Sequence, residues 1–238
     1  MWRVSLSLPR ERVRRLQRTL SPDERRRARR FLSAHDADGF VVARGVLRSL
    51  LGRYLRCDPH SLEFSYGHGG KPELPAPASG PHLGFNLAHS GSVALIAVAR
   101  GRRVGVDVEA LRAVPEWDRI ARHHFSAREN RELRALAPDE RHKAFLRGWT
   151  RKEALVKAIG AGLDHPVDGV EVPLAPLATV VQVTLLGAGE SSVFTLRPVP
   201  EITGYAVALA VEDVVPRQDH QPGRNGGEPR MPRFAWQC

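Results

Sequence analysis

The segment Val104-Gly-Val-Asp-Val-Glu109 constrains this chain more than any other. Its residues alternate without exception. A strand here turns Val104, Val106 and Val108 to one face and Gly105, Asp107 and Glu109 to the other. The face opposite the valines then carries two carboxylates roughly 6–7 Å apart at the backbone, near enough for their oxygens to converge on one cation. Hard oxygen donors of this kind suit magnesium, which usually keeps several waters and a substrate phosphate in its shell. A solvated strand face bearing two ordinary acids is the alternative, and this segment alone leaves both open.

The predicted helix Asp139–Ile159 adds to the first reading. On a helical wheel Phe145, Trp149, Leu155, Val156 and Ile159 form its buried stripe. Lys152 falls inside that stripe, an expensive place for a cation unless an anion meets it there. Trp149, Glu153 and Lys157 follow at intervals of four and stack along one side, while Arg147 and Arg151 face outward as surface charges. Glu153 and Lys157 form either an ordinary surface ion pair or a third metal carboxylate beside a cation for phosphate. A second predicted helix, Phe40–Arg56, repeats the oddity. Phe40, Ala43, Val46, Leu47, Leu50, Leu51, Tyr54 and Leu55 make its apolar stripe, yet Arg44 lies within it and Arg48 at its margin. Arginines on a buried side want a carboxylate or a phosphate to pair with. His89, expected in a turn between two strands, and Lys71, in the loop segment Gly70-Lys71-Pro72, are further candidate phosphate contacts.

Short helices are predicted at Arg10–Leu20, at Ser21–Ser33 and after Pro115, with capping boxes at Ser21-Pro-Asp-Glu24 and Ser126-Ala-Arg-Glu129. Strands are predicted at Leu62–Tyr66, Leu83–Leu87, Val93–Ala99, Val180–Leu185, Val193–Arg197 and Tyr205–Val211. Helices and strands thus recur in both halves, 1–105 and 106–212, which suits two similar lobes. The Pro- and Gly-containing stretch 213–238 is expected to be disordered. Charge bounds the partners. The formal net charge is +10, and residues 1–56 hold fifteen arginines against five acids. Such a surface draws polyanions: nucleic acid, a membrane face, a phosphate-rich small molecule or an acidic protein. Aromatic content of 6% offers few stacking platforms for single strands, and no zinc-finger or Gly-rich RNA signature is present. No Walker-type loop or dinucleotide-binding glycine pattern appears. No apolar run approaches the roughly 18 residues of a membrane helix, and no signal-peptide stretch is seen, so a cytoplasmic protein is expected. The two cysteines, Cys57 and Cys238, suggest neither a disulfide framework nor a metal cluster. The chemistry points to metal-assisted transfer or hydrolysis of phosphate outside the common nucleotide folds.

Four segments fit one known pattern in order and spacing: Gly70-Lys71-Pro72, Phe85-Asn86-Leu87-Ala88-His89-Ser90, Gly105-Val106-Asp107-Val108-Glu109, and Trp149-Thr-Arg-Lys-Glu-Ala154 with Lys157. Over roughly residues 20–212 the chain resembles the phosphopantetheinyl transferases of the surfactin-synthetase-activating (Sfp) type. The last two motifs, about forty residues apart, carry most of that specificity. The resemblance implies an α+β fold of two similar lobes about a pseudo-twofold axis, with coenzyme A held between them. It implies magnesium bound by Asp107, Glu109 and Glu153 and by the pyrophosphate of coenzyme A. Lys71, His89, Arg44 and Arg48 would hold the 3′-phosphate end, and Lys152 and Lys157 would face the pyrophosphate. Glu153 and Lys157 would act in the chemical step, in which a carrier-protein serine takes the phosphopantetheine and 3′,5′-ADP leaves. Members often carry basic residues where this chain has Asp36-Ala37-Asp38-Gly39, which leaves more of the 3′-phosphate contact to Arg44 and Arg48. Ala88 replaces a serine frequent in relatives. The expectation is a monomeric enzyme acting on coenzyme A and an acidic carrier protein, without nucleic acid or membrane as partner. A basic nucleic-acid-binding protein and a metal-dependent phosphohydrolase are the alternatives.

Overall fold

The computed structural model describes residues 1–67, 70–77, 80–160, 169–186 and 191–213. The stretch expected to be disordered lies outside the described residues beyond Asp213. The first half runs β1 (Trp2–Ser5), α1 (Arg10–Gln17), α2 (Pro22–Ala28), α3 (Ala34–Leu55), the short pair β2 (Ser65–Tyr66) and β3 (Pro72–Glu73), then β4 (Leu83–Ser90) and β5 (Val93–Arg100). The second half runs β6 (Val104–Ala110), α4 (Trp117–His124), α5 (Ala127–Ala135), α6 (Pro138–Ile159), β7 (Val181–Leu186), β8 (Ser191–Arg197) and β9 (Tyr205–Glu212). Helices and antiparallel sheets are mixed, an α+β fold. One sheet has the order β1-β5-β4 and the other β6-β9-β8-β7. Each half carries one 22-residue helix, α3 or α6, against its sheet.

The alternation in β6 fixes how the halves meet. Val104, Val106 and Val108 are all but fully buried with Ala88, Leu95 and Ala97 of the first sheet, each such side chain contributing about 1.5–3 kcal/mol. No backbone ladder joins β6 to β4. Side chains of β4 do so instead: the Val106 N–H donates to Asn86 Oδ1 at 2.9 Å and the Ala110 N–H to Ser90 Oγ at 3.1 Å. The other face of β6 lies under α6.

Several boundaries differ from expectation for local reasons. Helix α3 starts at Ala34, six residues before Phe40, because the Ser33 hydroxyl accepts from the N–H groups of His35 and Asp36 and Asp36 sits in the first turn. Strand β4 pairs through Ser90 with Val93, so His89 lies in the ladder opposite Ala94 rather than in a turn. The turn is only Gly91-Ser92, and Gly91 takes a φ of 54°. Around Leu62 the chain forms a 3-10 turn, Pro59–Ser61, and pairing begins only at Ser65. Strand β1 carried no recognised signal. Among the described residues no helix is long and apolar enough to cross a membrane.

Candidate functional site

Gly105 sets the geometry. A Cβ there would stand 1.9 Å from the Ala154 carbonyl oxygen and 2.5 Å from the Ala158 nitrogen. Only a bare backbone lets α6 lie so close on β6. That approach carries Glu153 and Lys157 onto the carboxylate face of the strand. Lys157 Nζ donates to Asp107 Oδ1 at 2.5 Å and stands 3.9 Å from Glu153 Oε2. The primary partner of Lys157 is therefore Asp107, not the residue one turn back on its own helix. Glu109 Oε2 accepts from Ser90 Oγ at 3.0 Å, across the junction of the two sheets.

Asp107 is 3% exposed, and its Oδ2 has no hydrogen-bond partner. Burial pushes its carboxyl up to about 7; Lys157 opposes that shift, and the charges of Glu153 and Glu109 add to it. Burial also raises Glu153, with Glu109 adding while Lys157 and His124 oppose. The three carboxylates thus act on one another electrostatically. His124 meets Trp149 edge-on at 5.5 Å between ring centroids, on the same side of α6 as Glu153. Three hard-oxygen side chains and one buried oxygen with no donor are the donor set a small divalent cation takes. Among the described residues no three acidic, histidine or cysteine groups stand at mutual metal-binding distance. Like charges repel, and the ammonium of Lys157 is the cation drawing Asp107 and Glu153 together.

The other basic candidates divide. Arg48 is 2% exposed, and its Nε donates to Glu24 Oε2 at 2.5 Å. Its Nη1 donates to the Pro59 and Leu62 carbonyls at 2.9 Å. Arg44 Nε donates to Glu24 Oε1 at 2.8 Å and its Nη2 to Tyr66 Oη at 3.0 Å. Lys152, 1% exposed, pairs with Glu129 Oε2 at 2.9 Å and donates to the Val170 carbonyl at 2.5 Å. In each case the sequence required an anion, and the chain supplies a carboxylate of its own. Lys152 and Arg48 are buried on these partners within the chain. Lys71 Nζ donates to the Val104, Lys157 and Ala158 carbonyls. It clamps the C-terminal end of α6 and so braces Lys157 from behind. His89 is exposed on β4, one residue before Ser90. Arg151, expected as a surface charge, is buried on the carbonyls of Pro173 and Ala175.

Sequence reasoning passed over Asn86 and Ser90 as functional residues. Their signal was available: Asn86, Ala88 and Ser90 share one strand face, and polar residues on a buried face must find partners. His124 offered no comparable signal, since its place beside Glu153 depends on how α4 packs on α6.

Two family models match the chain: "4'-phosphopantetheinyl transferase superfamily" over residues 103–210 and "4'-phosphopantetheinyl transferase, N-terminal" over residues 8–100. The 4'-phosphopantetheinyl transferase HetI of Nostoc sp. is 39% identical over 176 residues, covering 74% of each chain. The 4'-phosphopantetheinyl transferase Sfp of Bacillus subtilis is 32% identical over 155 residues, covering 65% of this chain and 66% of that one. The human L-aminoadipate-semialdehyde dehydrogenase-phosphopantetheinyl transferase is 27% identical over 234 residues, covering 92% of this chain and 75% of its own.

Proposed function

The chain belongs to the 4'-phosphopantetheinyl transferase superfamily, and we propose that the cluster of Asp107, Glu109, Glu153 and Lys157 is where it does its chemistry. It is an enzyme that moves phosphopantetheine from coenzyme A to a carrier protein. Transferases of this family generally depend on a divalent metal. For this chain we take that metal to be magnesium, held by Asp107, Glu109 and Glu153. When bound, it would neutralise charge on the pyrophosphate of coenzyme A.

The chain's own residues supply the rest. A carrier serine oxygen attacks the pantetheine-side phosphorus, the bond from that phosphorus to the oxygen of the departing nucleotide breaks, and 3′,5′-ADP leaves. Glu153, held above its ordinary range by burial, takes the serine proton directly or through a water. Lys157 sits within reach of both Asp107 and Glu153 and stabilises charge gathering on the departing phosphate. Ser90 fixes the rotamer of Glu109. His89, exposed beside that serine, contacts the phosphates, with Arg44 and Lys71 supporting the nucleotide end less directly. Arg48 and Lys152 hold the two long helices in place.

One observation carries this reading: Lys157 sits on a buried carboxylate whose second oxygen has no partner, in a cluster of three acids. The test is kinetic. Asp107→Ala and Glu153→Ala are expected to fold and to lose magnesium-dependent transfer to an apo carrier. Near-normal turnover of either variant at saturating magnesium would remove the assignment. Release of 3′,5′-ADP without a carrier would favour a phosphohydrolase.

A further inference from the structure

His124, the last residue of α4, has no role in the reading above, yet packing fixes its place beside Glu153 closely. Gly148 lets α4 and α6 meet. A Cβ there would stand 2.6 Å from Leu174 Cδ2 and 2.9 Å from Phe125 Cε2, so only a bare backbone admits the Phe125 ring, one residue after His124. An aromatic row then locks α4 along α6. Trp117, the first residue of α4, lies 5.7 Å from Phe145 between ring centroids, and Phe145 stacks on Trp149 at 6.2 Å. His124 closes the row, edge-on against Trp149 at 5.5 Å. Glu153 stands one turn beyond Trp149 on the same side of α6, and the imidazole is near enough to act on its charge.

The row accounts for the ring but not for its nitrogens. His124 is half-buried, and among the described residues it makes no hydrogen bond and no ion pair. A phenylalanine would fill the row as well and bring no polar atoms to satisfy. An imidazole held this firmly, with a donor and an acceptor unspent, suits a ligand that arrives beside Glu153.

The two flanks of Glu153 say which ligand. Lys157 stands one turn after Glu153, on Asp107, and takes up charge on the departing phosphate. In phosphoryl transfer the attacking and departing oxygens lie roughly in line on opposite sides of the phosphorus. With the departing oxygen at the Lys157 flank, the attacking oxygen comes in at the Trp149 flank, where His124 stands.

We propose that His124 positions the acceptor: a ring N–H donates to the carrier serine oxygen, whose own O–H faces Glu153. The proposal rests on the transferase reading above. The serine oxygen bonds to phosphorus, the bond from phosphorus to the nucleotide oxygen breaks, and the serine proton passes to Glu153. The imidazole ends the step with the protons it began with.

The test separates this hydrogen bond from packing, using the full chain with magnesium, coenzyme A and an apo acyl carrier protein. His124→Phe keeps a ring against Trp149 and removes the donor. It is expected to lower kcat/KM for the carrier about tenfold, the scale of one lost hydrogen bond, while calorimetric coenzyme A binding stays within about twofold. His124→Gln and His124→Asn remove the ring and keep an amide donor. At least one of them is expected to stay within about threefold of the unmodified protein in both measurements. Unchanged carrier kcat/KM in His124→Phe would overturn the proposal. An equal loss in all three variants would also overturn it and leave His124 a packing residue, as would a loss of coenzyme A binding that matches the loss of transfer. An unmodified enzyme that transfers nothing to the carrier would overturn the transferase reading itself.

Discussion

Asp107 sits where a carboxylate is costly to hold. In the unfolded chain it titrates near its ordinary 3.8, and burial raises it to about 7 in the fold. The folded state therefore binds more protons between those values. Stability falls as pH rises through that window, and the penalty is complete above about pH 7. At about 1.4 kcal/mol per unit, the penalty is of the order of a few kcal/mol. An uncharged isostere removes it. Asp107→Asn is expected to raise the melting temperature of metal-free protein by several degrees at pH 8, with the gain shrinking towards pH 4, while activity is lost. A melting temperature at pH 8 equal to or below that of the unmodified protein would contradict this view of Asp107 as a site maintained for function at the expense of stability. Lys157 lies on one oxygen of that carboxylate, Oδ1. Lys157→Ala should lower kcat by roughly 100-fold, the scale of one lost electrostatic contact to the transition state, and change coenzyme A binding little. Calorimetric binding beside single-turnover kinetics separates the two effects, and a loss confined to binding would make Lys157 an anchor only.

At the scale of elements, the two halves share a device that no sequence repeat reveals. Glu24 and Glu129 each close a capping box as the third residue of a short helix, and each is 2% exposed. Glu24 reaches Arg48, fourteen residues after the first residue of α3; Glu129 reaches Lys152, fourteen after the first residue of α6. Both capping boxes and both misplaced cations were legible as local patterns. Their pairing was not, because it joins residues 24 apart in one half and 23 in the other through packing alone. The sequence asked only for an anion, and a phosphate answers that request as well as a carboxylate does. Glu24→Gln and Glu129→Gln each take a carboxylate away from a buried cation, a loss of about 3–5 kcal/mol. Denaturant unfolding should show that loss in both variants, and native-like stability in either would mean the pair does not hold its helix. The site elements were easier to read. Period two in β6 and intervals of four in α6 marked two polar faces, the family resemblance joined Asp107, Glu109, Glu153 and Lys157 into one site, and the bare Cβ position of Gly105 explains how the two elements meet.

Across the whole molecule, the carboxylate cluster lies in the second half but is held in place from the first. The valine face of β6 is buried against the first sheet, Ser90 of that sheet holds Glu109, and Lys71 of the first half braces the end of α6 that carries Lys157. Apart from β1 and β3, the helices, strands and their order could be read from periodicity and caps; the junction could not, since its hydrogen bonds link side chains of β4 to the backbone of β6. This junction is where we propose that phosphopantetheine passes from coenzyme A to a carrier serine. The most direct test is the intact mass of an apo carrier before and after incubation with the protein, coenzyme A and magnesium, run beside Glu153→Gln. The carrier is expected to gain one phosphopantetheine with the unmodified protein, and chelation of the metal or Glu153→Gln is expected to abolish the gain. An unshifted mass across a panel of apo carriers, or full conversion by Glu153→Gln, would contradict that assignment.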